Sequence, residues 1–318
     1  MSGGACKEVI DLHIRIATRK SQLAVWQAEH VATLLEGLDA VDSVELVRLS
    51  TRGDEILDRS LQKIGGKGLF IKELEVAMQE DRADLAVHSM KDVPAEMPDG
   101  FCIAAILERA SHADALVSGG VPFADLREGA VVGSSSLRRQ AQLRAMRPDL
   151  DIRPLRGNVN TRLAKFDAGE FDAIILAAAG LERLGMGERI TARFGIDEML
   201  PAASQGVIGI ECLESRSDLH AVLAALDHEP TVRTTLAERE VARALDASCQ
   251  SPVAAHATIA DGTLSLIGLA ALPDGSEVIR TSSSGDPADA VEIGAEVALG
   301  LAEQGVEALL ERARQMTE

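Results

Sequence analysis

The chain has no tyrosine and a single tryptophan, Trp26, and aromatic residues make up only 2% of it. That scarcity bears on detection by absorbance and not on chemistry. Its four cysteines, Cys6, Cys102, Cys212 and Cys249, lie far apart with no CxxC pair. Such spacing argues against a disulfide framework and against a zinc cluster. No apolar run approaches the length of a membrane span, and the first eight residues hold no apolar signal core,. A cytoplasmic location is therefore expected, with the cysteines as thiols. No repeat or low-complexity tract is apparent.

Positive charge is also short. The formal net charge is -18, which argues against a nucleic-acid partner on electrostatic grounds,. The average hides an asymmetry. Residues 133–183 carry nine Lys/Arg against six Asp/Glu, whereas residues 196–318 carry seven against 21. Basic side chains gathered in the middle of an acidic chain suit a small anionic ligand in a cleft. At 318 residues the chain is long enough for two or three domains,.

From residue 9 to about 212, strand-like and helix-like segments alternate. Strands are expected at 9–17, 44–49, 85–88, 101–107, 115–118, 130–133, 151–155, 171–178 and 207–212. Helices are expected at 22–35, 68–79, 137–146 and 159–166. This alternation points to α/β layers with buried, parallel strands. The last third changes character: a helix over 231–245, strands over 257–259, 263–272 and 276–281 joined by Asp-Gly turns, and one closing helix over 286–314.

Five segments are candidates for chemistry. In Gly133-Ser134-Ser135-Ser136-Leu137-Arg138-Arg139 a strand ends and a helix opens, so amides, serine hydroxyls and two arginines converge where an anion binds well,. The alternative is a plain helix cap with a solvated charged face. Arg153-Pro154-Leu155-Arg156-Gly157-Asn158, with Arg162, repeats the plan at a second strand end, where open α/β sheets bind ligands,. Unrelated surface arginines are the alternative there. In His88-Ser89-Met90-Lys91-Asp92-Val93-Pro94 a strand runs into a polar turn. Asp92 there either stabilises a developing positive charge or merely caps a helix beside a solvated lysine; His88 alone reads as a packed histidine. Gly65-Gly66-Lys67-Gly68 lacks the spacing of a phosphate loop, which leaves a lid with glycine hinges or an ordinary turn,. Cys249, on a turn-prone loop after a helix, is either a nucleophile or a small buried hydrophobe.

Taken together, these segments resemble the porphobilinogen deaminase family. Arg15-Ile16-Ala17-Thr18-Arg19-Lys20-Ser21, Thr51-Arg52-Gly53-Asp54, the run from Gly65 to Phe70 and the run from His88 to Pro94 carry the likeness. So do Gly133 to Gln140, Leu155 to Asn158 with Thr161-Arg162, Ala177 to Leu184, Gln205-Gly206 and the loop bearing Cys249. The likeness spans nearly the whole chain in the expected order.

The resemblance implies an α/β fold with two lobes of the two-lobed ligand-binding type, built on mixed, mainly parallel sheets, plus a small C-terminal α+β domain. Domain 1 is expected over 8–108 with 203–226, domain 2 over 109–202, and domain 3 over 227–318. It implies a transferase that joins four porphobilinogen units into hydroxymethylbilane, in tetrapyrrole biosynthesis. The reaction would run on a dipyrromethane primer held as a thioether by Cys249, with no metal, in a monomer.

By position, Asp92 matches the catalytic aspartate. Ser89, Lys91, Ser134, Ser136, Arg138, Arg139, Arg156 and Arg162 match residues that hold the primer. Arg19, Ser21 and Arg183, together with Arg156 and Arg162, match contacts to substrate carboxylates. Gln205 and Asn158 fall in matching motifs, and Lys67 and Phe70 match the end of a lid. The chemistry fits the residue types: each added unit brings two carboxylates, and loss of ammonia leaves a cationic azafulvene that a carboxylate stabilises. One departure stands out. Many members have Gly-Gly before the anchor cysteine, where this chain has Ala247-Ser248,. The rival reading is a two-lobed binding protein without enzymatic activity. It would use the same arginines but needs no Cys249, and such proteins usually carry an export signal.

Overall fold

The computed structural model describes residues 12–50, 71–248 and 251–317. The chain begins with β1 (Leu12–Arg19), α1 (Gln22–Glu36) and β2 (Val41–Leu49). Next come α2 (Lys72–Gln79), β3 (Leu85–Ser89) and β4 (Phe101–Ile106). A second run holds β5 (Asp114–Val117), β6 (Val131–Gly133), α3 (Leu137–Met146) and β7 (Asp151–Arg153). It continues through α4 (Val159–Asp167), β8 (Ala173–Ala177), α5 (Ala178–Arg183) and β9 (Ala192–Arg193). The chain then returns with β10 (Ile208–Leu213) and α6 (Ser217–Leu223). The last part holds α7 (Glu229–Ala244), β11 (Val253–Ala260), β12 (Thr263–Ala271), β13 (Val278–Gly285), α8 (Ala290–Glu303) and α9 (Val306–Gln315).

Two five-stranded sheets repeat one pattern. Their orders are β2-β1-β3-β10-β4 and β7-β6-β8-β5-β9. In each, three strands run parallel, the fourth runs antiparallel to the third, and the fifth runs antiparallel to the fourth. The reversal has a topological cause: β10 and β5 are delivered by the two passages between the sheets, not by a helical crossover. Parallel pairing therefore makes up half of these ladders, while four of the five strands in each sheet share one direction, as the expected mixed, mainly parallel sheets require.

Each sheet is buried on both faces. In the first, Ala28, Val31 and Leu35 of α1, with Leu219 and Leu223 of α6, pack on Ile14, Ile16 and Leu85. Leu74, Ala77 and Met78 of α2 cover Ala17 and Ala86 on the other side. In the second, Leu143 of α3 packs on Val132 and Ile175, while Leu163 of α4 and Leu181 of α5 pack on Ile174 and Leu176. Two-sided burial explains why strands such as Ala173–Ala177 are continuously apolar,. The third sheet, β11-β12-β13, is antiparallel and is covered by α7, α8 and α9.

The closing helix expected over 286–314 is two helices. Gly305 adopts φ +86°, outside the helical region, and separates α8 from α9,. The amphipathic period continues across the break, so periodicity alone did not locate it. The short strand β9 and helix α6 were not anticipated at all. Two residues in one case and seven in the other carry too little pattern to read,.

Both passages between the first two sheets are tied to α7 by one carboxylate. Glu238 is fully buried. It accepts two bonds from the Arg109 guanidinium, at 2.8 and 2.6 Å, and others from the Ser204 and Ala257 amides at 2.6 and 2.7 Å. Beside it, Gly206 sits at φ +89°, where a Cβ would lie 2.7 Å from the Ser111 carbonyl oxygen, so the two passages close in only over a glycine,. Burial by itself raises the Glu238 pKa, but Arg109 and His256 overcome it and hold the carboxyl at about 2. A depressed folded-state pKa stabilises the fold above the ordinary glutamate range and loses that effect as pH falls toward 2.

Glu238→Gln is expected to lower unfolding stability at pH 7 by about 3 kcal/mol, because it strands Arg109 in the interior. The gap between variant and parent should narrow as pH falls from about 4.5 to about 2, read by urea denaturation at each pH. A gap independent of pH would contradict this account.

Candidate active site

The passage from β4 into β5 places Asp114 at the first position of β5, with no exposure to solvent. Two arginines of the first turn of α3 converge on it. Arg138 Nη1 donates to Asp114 Oδ2 at 2.7 Å, and Arg139 Nη2 and Nε donate to Oδ1 at 2.6 and 2.9 Å. Arg138 also donates to the Leu200 carbonyl at 2.7 Å and Arg139 to the Ile175 carbonyl at 3.0 Å. Both arginines are nearly fully buried, at 4% and 6% exposure. Burial raises the pKa of Asp114, yet the two guanidiniums more than reverse this and hold it far below the usual carboxylate range,. Burial also lowers the Arg139 pKa, which Asp114 partly restores.

Gln205 extends the network toward the first sheet. Its Nε2 donates to the His112 carbonyl at 2.7 Å and to Asp114 Oδ1 at 3.0 Å, while its Oε1 accepts from Lys91 Nζ at 3.4 Å. Lys91 lies with Asp92 on a single turn, Met90–Asp92, that follows β3. Burial lowers the Lys91 pKa to about 8, with Arg139 and Arg138 pushing the same way and Asp92 and Asp114 opposing. Asp92 itself is exposed. Ser89, at the end of β3, accepts a 2.8 Å bond from Gln27 Nε2 of α1.

The second strand end joins the same field. Arg156 lies in the loop after β7, and Arg162 lies on α4. Arg162 Nε donates to the Gly157 carbonyl at 2.7 Å. Its pKa falls to about 10, first through burial and then through repulsion by Arg139 and Arg156, with Asp92 opposing. These side chains are therefore within electrostatic reach of one another across the two sheets. Among the described residues, five cations, Lys91, Arg138, Arg139, Arg156 and Arg162, lie in one field with two carboxylates, Asp92 and Asp114. Guanidinium groups gathered in this way suit carboxylate ligands.

A second group gathers where α1 meets α5. Arg19 ends β1, and Ser21 caps α1, accepting from the Ala24 amide at 3.3 Å. Arg183, at the end of α5, donates to the Gly206 carbonyl at 2.8 Å and lies over Trp26, 5.8 Å from the ring centre,. Burial lowers its pKa to about 10. Asn160 of α4 donates to Gln22 of α1 across the same gap. Asn158 caps α4 through the Thr161 amide at 2.9 Å.

The serines behave differently from a simple cap. Ser136 holds the N-cap position of α3, but its hydroxyl makes no capping bond; the Ser134 hydroxyl accepts from the Ser136 amide instead, at 3.4 Å. Ser135 bonds the Leu155 amide and carbonyl, lashing the two strand ends together. His88 is buried with Nε2 2.6 Å from Glu211 Oε2. Cys249, Lys67 and Phe70 lie outside the described residues. Asp114 and Gln27 were missed by sequence reasoning. Asp114 stands inside a short apolar strand, with no motif to mark it.

Asp114→Asn is expected to cost about 3 kcal/mol of stability, since it leaves two buried guanidiniums without their counter-charge. Asp114→Ala should cost at least as much. Chemical denaturation measures both, and a loss below about 1 kcal/mol would show that Arg138 and Arg139 are not held by this carboxylate.

Residues 14–221 match the family described as porphobilinogen deaminase, dipyromethane cofactor binding domain, and residues 232–303 match porphobilinogen deaminase, C-terminal domain. A porphobilinogen deaminase of Chromobacterium violaceum is 55% identical over 299 residues, covering 93% of this chain and 96% of that protein. One of Paraburkholderia phytofirmans is 54% identical over 295 residues, covering 91% and 86%. Among solved structures, the probable amino-acid ABC transporter extracellular-binding protein of Bacillus subtilis aligns at 13% identity and TM-score 0.40, covering 73% of this chain and 97% of that one. With two family domains matched in order and relatives above half identity along nearly the full length, the chain belongs to the porphobilinogen deaminase family.

Proposed function

We propose that this chain deaminates four porphobilinogen molecules and joins them head to tail into hydroxymethylbilane, with Asp92 as its catalytic residue and Cys249 as the anchor of a dipyrromethane primer. The observation that carries this reading is the gathering of Lys91, Arg138, Arg139, Arg156 and Arg162 in one field, with the exposed carboxylate of Asp92 acting on Lys91 and Arg162. A primer with several carboxylates fits that gathering of cations. When bound, it supplies the nucleophilic carbon to which each new pyrrole is joined.

The chain's own residues then divide the work. Lys91, Arg156 and Arg162 neutralise carboxylates at the mouth of the cluster. Arg138 and Arg139, locked on Asp114, give it a fixed positive floor. Ser134, Ser136 and Ser89 offer hydroxyls beside these cations. Gln205 positions Lys91 through its amide oxygen. Arg19, Ser21 and Arg183 form the neighbouring subsite that takes the acetate and propionate of the incoming porphobilinogen. Loss of ammonia makes that substrate cationic, and Asp92 places a negative charge beside it and accepts hydrogen bonds from pyrrole N–H groups. Lys67 and Phe70 are proposed to close the site at the end of a lid. Domain bounds of 8–108 with 203–226, 109–202 and 227–318 suit this division, the third carrying Cys249.

No described helix is long and apolar enough to cross a membrane. A cytoplasmic monomer that binds a small-molecule substrate and no nucleic acid completes the proposal, in keeping with the net charge of -18.

Asp92→Asn should leave stability within about 0.5 kcal/mol of the parent, because the side chain is exposed,. Turnover of porphobilinogen should fall by about 10²–10⁴. Near-normal turnover would remove Asp92 from this role. The intact denatured mass should exceed that of the bare chain by two deaminated porphobilinogen units, and Cys249→Ala should lack the increment. A loaded Cys249→Ala protein would move the anchor elsewhere.

A further inference from the structure

At the end of the first sheet remote from the cleft, three soft or borderline donors meet. Cys102 of β4 stands directly opposite Cys212 of β10 in the antiparallel ladder. On the same β10, Ile208 pairs with Ser89 at the active-site end, whereas Cys212 pairs with Leu85, at the opposite end of β3. His220 of α6 turns its Nε2 toward both thiols, 3.6 Å from Cys102 Sγ and 3.8 Å from Cys212 Sγ. The three donor atoms all lie within 4.8 Å of one another.

Tetrahedral zinc has Zn–S bonds of about 2.3 Å and Zn–N bonds of about 2.0–2.1 Å, so its N···S edge is about 3.6 Å. Both observed separations lie close to that edge. The scaffold is also preorganised. Two donors are fixed by strand pairing. The third sits on a helix whose entry is pinned by Arg216, which bonds Asp84 at 2.7 Å and Asp218 at 3.0 Å. Cys212 is buried while Cys102 and His220 are half-buried, which leaves a side open for water as a fourth ligand.

We propose that Cys102, Cys212 and His220 form a binding site for a thiophilic divalent cation, with zinc as the fitting ion, separate from the porphobilinogen chemistry. On binding, both thiols give their protons to solvent and the imidazole coordinates through Nε2. Nothing here requires the catalytic reading: the donors lie on β4, β10 and α6 and touch none of the residues assigned to it.

The test uses the purified full-length holoprotein, reduced, incubated with zinc alone and desalted against a weak chelator. One zinc per chain is expected by elemental analysis, falling at least about tenfold in Cys102→Ser and in His220→Gln, since loss of a ligand exceeds the roughly 10–100-fold that outer partners cost. Cobalt in place of zinc should give a thiolate-to-metal charge-transfer band in the parent and none in either variant. Turnover and far-ultraviolet circular dichroism should match the parent in both, which separates a lost site from a lost fold. Zinc that is absent from the parent, or retained equally by the two variants, would overturn the site.

Discussion

Asp114 is the group around which the candidate site is organised. A carboxylate without solvent contact is costly unless it is fully paired, and here it takes up hydrogen bonds from Arg138, Arg139 and Gln205,. The reverse also holds: two arginines cannot be brought so deep without that counter-charge. One buried negative group thus permits a fixed pair of positive groups. Their field is reinforced by Lys91, Arg156 and Arg162.

Glu238 does for the architecture what Asp114 does for the site. Arg109 from the outgoing passage and Ser204 from the return both bond to it, and α7 and β11 contribute the carboxylate and the Ala257 amide. Both passages are therefore registered against the third sheet at one point. The lobes meet nearby, where Arg183 bonds the Gly206 carbonyl and lies over Trp26. Shifts at these passages bear directly on the cleft, because Gln205 and Gly206 are neighbours in the chain.

Much of the site was legible in the sequence because strand ends are punctuated. Serines, glycines and arginines at Gly133–Arg139 and at Arg153–Arg162 marked two helix starts, and Lys91-Asp92 marked the end of a third strand. That they gather at one site was expected from the family resemblance and not from any one motif. What the arginines actually hold was not: Arg138 and Arg139 spend several donors on Asp114, Leu200 and Ile175. A buried partner in a four-residue apolar strand leaves no periodic trace. The same limit applies to Cys102 and Cys212, which lie far apart along the chain and which strand pairing sets face to face.

Alternation of apolar and helical periods determined by itself that this chain makes α/β layers, because two-sided burial demands continuous apolar strands and amphipathic covers. Composition determined that its cations are few and gathered. Tertiary structure alone decided the direction of β5 and β10 and which carboxylate neutralises which arginine. Those outcomes depend on contacts between residues distant in sequence, and local propensity carries no information about them.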